Sequence, residues 1–158
     1  MKTKIPPADL VEEMLLNKGE VATKIYGSSM SPLLSEGKRV LMRHVDQGKI
    51  KLGDVVCFKS QSQLVAHRVV RIHRLKEGRR FLTKADNAST FDRYLSSDEV
   101  VGNVVAVEGQ SLTAFPWKIF NRLIGEISLF EGEAKKKLMK NSFRQFSKWV
   151  RYSLKAFC

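Results

Sequence analysis

The chain has 158 residues, of which 43% are hydrophobic and 28% charged, and its formal net charge is +12. This is the composition of a soluble globular protein, and no run approaches the roughly 18 apolar residues of a membrane span. The N-terminus lacks the apolar stretch of a secretory signal, so we expect a cytoplasmic protein. The two cysteines, Cys57 and Cys158, lack metal-ligand spacing; we expect neither a metal ion nor a cofactor, and a buried thiol at Cys57.

The N-terminal segment, residues 1–24, is predicted to contain a short amphipathic helix over residues 7–18. Asp9 is the expected N-cap and Gly19 the expected end of the helix. Three apolar residues are expected to share its buried face: Leu10, Met14 and Leu15.

Strand patterns dominate the next segment, residues 25–112. Apolar alternation and β-branched residues predict five strands: Lys38–Arg43, Val55–Phe58, Leu64–Leu75, Phe81–Thr83 and Val100–Val107. Glycine and other turn residues recur between them. This spacing predicts a mainly β protein with a compact, coiled β-domain, and not alternating βαβ units.

The last segment, residues 113–158, changes to helical periodicity. One helix is predicted over Trp117–Phe130 and a longer, basic amphipathic helix over Glu133–Phe157. Residues 115–158 contain ten Lys and Arg against three Glu, a net charge of +7. Two interpretations of the longer helix stay open: its apolar face docks on the β-domain, or residues 133–157 contact an anionic membrane surface. Nucleic acid is not expected, because no nucleic-acid-binding motif accompanies the charge.

The stretch Tyr26-Gly-Ser-Ser-Met-Ser-Pro-Leu-Leu34 predicts a tight turn. Gly27 permits torsions that a side chain would forbid, and Pro32 sets the direction in which the chain leaves. Such a turn can hold the Ser29 hydroxyl at a defined point beside free amides, as a serine nucleophile requires. The same residues also fit an ordinary loop.

His67 lies in the middle of an apolar predicted strand, with Val65 and Val69 on its face. It can be a buried core histidine or the base that deprotonates a serine. His44 and His73 have polar neighbours and are expected at the surface. Two carboxylates follow the Phe81 strand and offer an orienting group for the imidazole: Asp86, which also fits an ordinary turn, and Asp92, which also fits a surface ion pair with Arg93.

Five sequence blocks occur in a characteristic order. They are Gly27-Ser-Ser-Met-Ser-Pro32, Gly53-Asp-Val-Val-Cys-Phe58, Val65-Ala-His-Arg-Val-Val70, Leu82-Thr-Lys-Ala-Asp-Asn87 followed by Asp92-Arg93, and Val100-Val-Gly-Asn-Val-Val105. Together, over residues 25–107, they resemble the signal peptidase I family, which shares its fold with the LexA-type repressor proteases. The histidine is similar to the archaeal and endoplasmic-reticulum branch, in which Ser-His replaces the bacterial Ser-Lys dyad.

The resemblance implies a role for each site residue. Ser29 is the implied nucleophile, His67 the general base and Asp92 the third catalytic acid, with Asp86 as a further candidate. The backbone amides of Ser28 and Ser29 are the implied oxyanion hole, without a side-chain donor because Gly27 occupies the place where bacterial enzymes carry a hydroxyl.

Three features depart from the family pattern. Gly37-Lys38 replaces its Gly-Asp, Ala85 replaces the glycine of its Lys-Gly-Asp-Asn turn, and its N-terminal membrane span is missing. We therefore expect a serine endopeptidase acting on leader or precursor peptides in the cytoplasm or at its membrane face. The alternatives are a non-catalytic or self-cleaving regulatory module of the LexA-like protease fold, and a membrane-surface or nucleic-acid adaptor.

Overall fold

The computed structural model of the chain describes residues 7–61 and 63–134. Within them the protein is mainly β. The elements are α1 (Ala8–Lys18), β1 (Glu20–Lys24), β2 (Arg39–Arg43), β3 (Val55–Ser60), β4 (Gln63–Leu75), β5 (Gly78–Lys84), β6 (Tyr94–Ser96), β7 (Val100–Val107), β8 (Gln110–Ser111) and α2 (Trp117–Ala134). One antiparallel sheet has the order β1-β2-β7-β3-β4-β5-β6, with β8 beside β7.

All five predicted strands are present, and three further strands were not predicted. β1, β6 and β8 are short and carry polar or charged residues, so they give little apolar alternation. Their place in the sheet comes from pairing: β1 joins β2 from Glu20 to Lys24, and β6 adds to β5.

α1 forms where predicted and ends at Gly19, and Leu15 and Met14 pack on the core as predicted, but the N-cap and the burial of Leu10 were predicted wrongly. Pro7 occupies the N-cap position. Asp9 lies in the first turn and accepts a hydrogen bond from Lys59 at 2.6 Å. The sheet covers Ala8, Val11 and Leu15, whose spacing of three and four residues makes one helical face. Leu10 lies about 100° away from Val11 around the helix and is 47% exposed.

The sheet separates two apolar clusters. α1 covers the first cluster, which includes Leu34 and Cys57; the second contains Val56, Val69 and Phe81. Cys57 is fully buried, as predicted, and burial raises the pKa of its thiol to about 12.

α2 packs against the sheet over β4. Its buried residues include Asn121, Ile124 and Ser128. Two glycines, Gly53 and Gly125, allow the helix to come close to the turn before β3. A Cβ built on Gly53 would lie 2.3 Å from the Asn121 carbonyl oxygen, and one on Gly125 would lie 3.1 Å from the Gly53 Cα. The first predicted helix of the tail therefore docks on the β-domain.

The longer predicted helix, Glu133–Phe157, falls almost wholly outside the described residues; its first two residues end α2. Among the helices of the described part of the chain, none combines the length and apolar character that crossing a membrane requires.

Candidate active site

Ser29 lies at the exposed tip of a turn whose two sides are anchored in the core. Gly27 has φ +97°, a left-handed conformation that suits glycine. Met30 and Leu34 are buried and bridge each other, with the Leu34 amide donating to the Met30 carbonyl at 2.9 Å. Within residues 7–61 and 63–134, no acceptor contacts the amides of Ser28 or Ser29. The turn thus has an exposed serine at position 29 and two amides without an acceptor among the described residues.

His67 is held in the middle of β4 by a carboxylate and an aromatic ring. Its Nδ1 lies 2.7 Å from Asp92 Oδ2, and the Phe58 ring meets the imidazole edge-on at 5.8 Å. The Thr83 hydroxyl donates to the same Asp92 oxygen at 2.8 Å. With its Nδ1 hydrogen bonded to a carboxylate, the imidazole has Nε2 available to accept a proton.

Asp86 is in contact with a different side chain. Arg68, the residue after His67, is fully buried and donates from Nε and Nη2 to the two Asp86 oxygens at 2.8 and 2.7 Å. Such a bidentate pair fixes both groups in place. The two carboxylates suggested by the sequence are therefore separated: Asp92 meets His67, and Asp86 meets Arg68.

The loop between β5 and β6, residues 85–93, joins these parts. The Asn87 amide donates to the Ser29 carbonyl at 2.8 Å, and the Asp86 amide points to the Met30 sulfur at 3.4 Å. One loop thus carries the partner of His67 and holds the Ser29 turn. In the described residues no hydrogen bond joins the Ser29 hydroxyl to His67 itself.

The far end of this loop is fixed by ion pairing. Arg93 donates to Glu99, which also accepts from the Ser96 amide at 2.7 Å. The hydrogen bond from Arg93, aided by the bonds from Ser96, lowers the pKa of Glu99 to about 2. Arg93 therefore pairs with Glu99 and anchors the chain just after Asp92.

A cleft of about 180 Å³ opens beside Ser29. Residues 23–26, the last two of β1 and the two after it, form one wall, and residues 63–66 of β4 form the other. Its apolar lining includes Met30, Met42 and Cys57. β4 pairs with β3 from Gln63 onward, but its pairing with β5 starts only at Arg68. Among the described strands, the second edge of β4 is thus unpaired along the cleft.

Several residues around the site were given no role by sequence reasoning. Arg68 and Lys84 are both fully buried, and Asn121 reaches Arg68 from α2. The available signal was an arginine in the centre of an apolar strand, which requires a buried acceptor. His44 and His73 are exposed, as predicted.

No cluster of three or more His, Cys, Asp or Glu arranged to hold a metal occurs in the part of the chain that the structure describes. Comparison of the sequence with protein-family models and with curated proteins finds no match.

Proposed function

We propose that the protein is a serine endopeptidase of the signal peptidase I-like type, with the LexA/signal-peptidase type of fold. Ser29 is the nucleophile, His67 the general base, and Asp92 the group that orients the imidazole. The observation that carries the proposal is the 2.7 Å contact between His67 Nδ1 and Asp92. Asp92 lies in the loop whose Asn87 amide also donates to the Ser29 carbonyl.

The reaction follows from the roles of these groups. His67 Nε2 takes the Ser29 proton while Oγ attacks the scissile carbonyl, and Asp92 stabilises the imidazolium that forms. The backbone amides of Ser28 and Ser29 bind the oxyanion. The imidazolium then protonates the leaving amine, and water hydrolyses the acyl-enzyme. Catalytic hydrogen bonds often tighten only when substrate binds, so we place closure of the Ser29–His67 contact at that step.

The substrate fits as an extended peptide. Its main chain would pair with the unpaired edge of β4 at residues 63–67, and an apolar side chain would enter the cleft above Met42 and Cys57. Leader or precursor peptides in the cytoplasm, or at the cytoplasmic face of the membrane, are the proposed substrates.

The test compares two adjacent exposed serines. Ser29→Ala removes the nucleophile, whereas Ser28→Ala keeps the backbone amide and serves as the matched control. Two measurements are made: cleavage of a peptide library, detected by mass spectrometry, and labelling by an acyl-trapping probe. We expect the first variant to lose both. The second should keep both. If Ser29→Ala cleaved the library as fast as the unmodified protein, the assignment would be wrong.

A second candidate function is peripheral membrane binding through residues 133–157. Two observations favour it. α2, which leads into this segment, exposes Ile119 (51%), Leu123 (46%) and Phe130 (63%). Residues 135–158 contain eight Lys or Arg and no acidic side chain. Apolar exposure next to concentrated positive charge suits an anionic lipid surface. This function is compatible with the peptidase, because it would bring the cleft to membrane-associated precursors.

A further inference from the structure

α2 lies outside the five sequence blocks, yet it contacts a buried cation beside the candidate base. Arg68 Nη1 donates to the Gly53 carbonyl at 2.8 Å and to Asn121 Oδ1 at 3.0 Å. Asn121 Nδ2 in turn donates to the Leu112 carbonyl at 3.0 Å. Both ends of the amide are thereby used, so the oxygen stays turned toward Arg68.

A second contact from α2 reaches the opposite strand. Lys84, the last residue of β5, is fully buried and is the register partner of Arg68. Its Nζ lies 3.4 Å from Glu131 Oε2, a side chain that is 11% exposed. Each of the two buried cations thus has a carboxylate beside it, Asp86 for Arg68 and Glu131 for Lys84, as a buried charge requires.

The same two cations contact or adjoin the loop of the candidate site. Arg68 binds both oxygens of Asp86, and Lys84 directly precedes the loop that carries Asp86 and Asn87. Polar contacts therefore run from α2 through the buried Arg68 and Asp86. The next residue, Asn87, is exposed, and its amide holds the Ser29 carbonyl.

We propose that α2 positions the catalytic loop: Asn121, acting through Arg68 and Asp86, and Glu131, acting through Lys84, hold residues 85–93 against the Ser29 turn. The inference rests on the proposed peptidase function for its catalytic consequence. Its structural part, the coupling of α2 to the Asn87–Ser29 hydrogen bond, can be measured without any substrate.

The first test changes Asn121 in the full chain. Asn121→Leu has a similar shape but gives Arg68 no acceptor, whereas Asn121→Asp keeps an oxygen for it. Hydrogen exchange of the Asn87 amide should become about 10-fold faster in the Leu variant and return towards the native rate in the Asp variant. With the peptide that the native protein cleaves best, kcat should fall by about 10- to 100-fold while KM changes little, because misplacement affects the catalytic groups and not the β4 edge.

The second test uses two glutamates of α2. Glu131→Gln removes the charge that faces Lys84, and Glu126→Gln makes the same change on a side chain that is 44% exposed. We expect faster Asn87 exchange only in the first. Native Asn87 exchange in both Asn121→Leu and Glu131→Gln would overturn the inference. If exchange changes as expected while the native protein shows no Ser29-dependent cleavage, the coupling stands and the peptidase proposal falls.

Discussion

At the scale of single residues, Asp92 and Asp86 lie six positions apart and have different surroundings. One oxygen of Asp92 is hydrogen bonded to both His67 and Thr83, and the side chain is 28% exposed. Asp86 is almost fully buried and holds a fully buried guanidinium with both oxygens. An orienting carboxylate affects the rate of a reaction, whereas the partner of a buried cation affects stability.

The two aspartates should therefore differ in their effect on stability when each is changed to asparagine. Asp92→Asn is expected to lower kcat by about 10²- to 10⁴-fold, less than Ser29→Ala, because the nucleophile and the general base remain. Asp86→Asn is expected to lower the free energy of unfolding by about 3–5 kcal/mol, because Arg68 loses a charged partner.

Denaturant unfolding and steady-state kinetics on both variants check this assignment. The free energy of unfolding of Asp92→Asn should stay within about 1 kcal/mol of the native value, since the carboxylate is partly exposed. Large destabilisation by Asp92→Asn together with native stability of Asp86→Asn would reverse the roles of the two carboxylates.

At the scale of elements, α2 packs closely on the turn that contains Gly53, just before β3. Gly37→Ala and Gly53→Ala are a matched pair, because both glycines have φ near +90° but only one faces another element. A Cβ on Gly37 meets nothing within 4 Å, whereas one on Gly53 would lie 2.3 Å from the Asn121 carbonyl oxygen. We expect Gly37→Ala to cost about 1–2 kcal/mol from backbone strain, and Gly53→Ala a further 1–3 kcal/mol from overpacking.

Thermal and denaturant unfolding measure this difference. The extra loss at Gly53 should be accompanied by faster hydrogen exchange in α2, because the clash falls on that helix. Equal losses for the two variants would mean that α2 does not press on the Gly53 turn, and would contradict the close packing of this helix on the sheet.

The strands and helices show which elements can be predicted from sequence patterns. Val100–Val107 was predicted with its observed bounds, because a long run of β-branched residues between two turns is typical only of a strand. β1 and β6 were not predicted because each is short and has a single buried apolar residue, Val21 or Leu95, which gives no alternation; pairing with β2 and β5 places them in the sheet. The face of α1 was misjudged for a related reason: Leu10 and Val11 are both apolar, and the position of the sheet decides which is buried.

At the scale of the whole molecule, the predicted site residues are brought together only in part. The family resemblance implied Asp92 as the third catalytic acid but left Asp86 as a further candidate for the group that orients His67. The 2.7 Å contact of Asp92 with His67 depends on how the β5–β6 loop folds back over β4, which no local pattern encodes. The same holds for Asn121, whose role requires α2 to cross β4 more than 50 residues after Arg68.

The net charge of +12 is also a property of the whole molecule, and its placement predicts vesicle binding. Replacing Lys135, Lys136 and Lys137 with glutamine should weaken binding to phosphatidylserine-containing vesicles by about 100-fold, at about 1 kcal/mol for each charge near the surface. A control with the same change in net charge replaces three exposed lysines elsewhere: Lys18, Lys49 and Lys76.

Co-sedimentation of the full chain with vesicles separates the possible sources of attraction. If the tail itself attracts the membrane, the control variant should bind vesicles as the native protein does. Added salt should weaken this binding because the Debye length shortens. Leu123→Ser should weaken binding further if the exposed face of α2 also enters the interface. Equal loss in the tail variant and the control would assign the attraction to net charge alone, and α2 would then serve only the β-domain on which it packs.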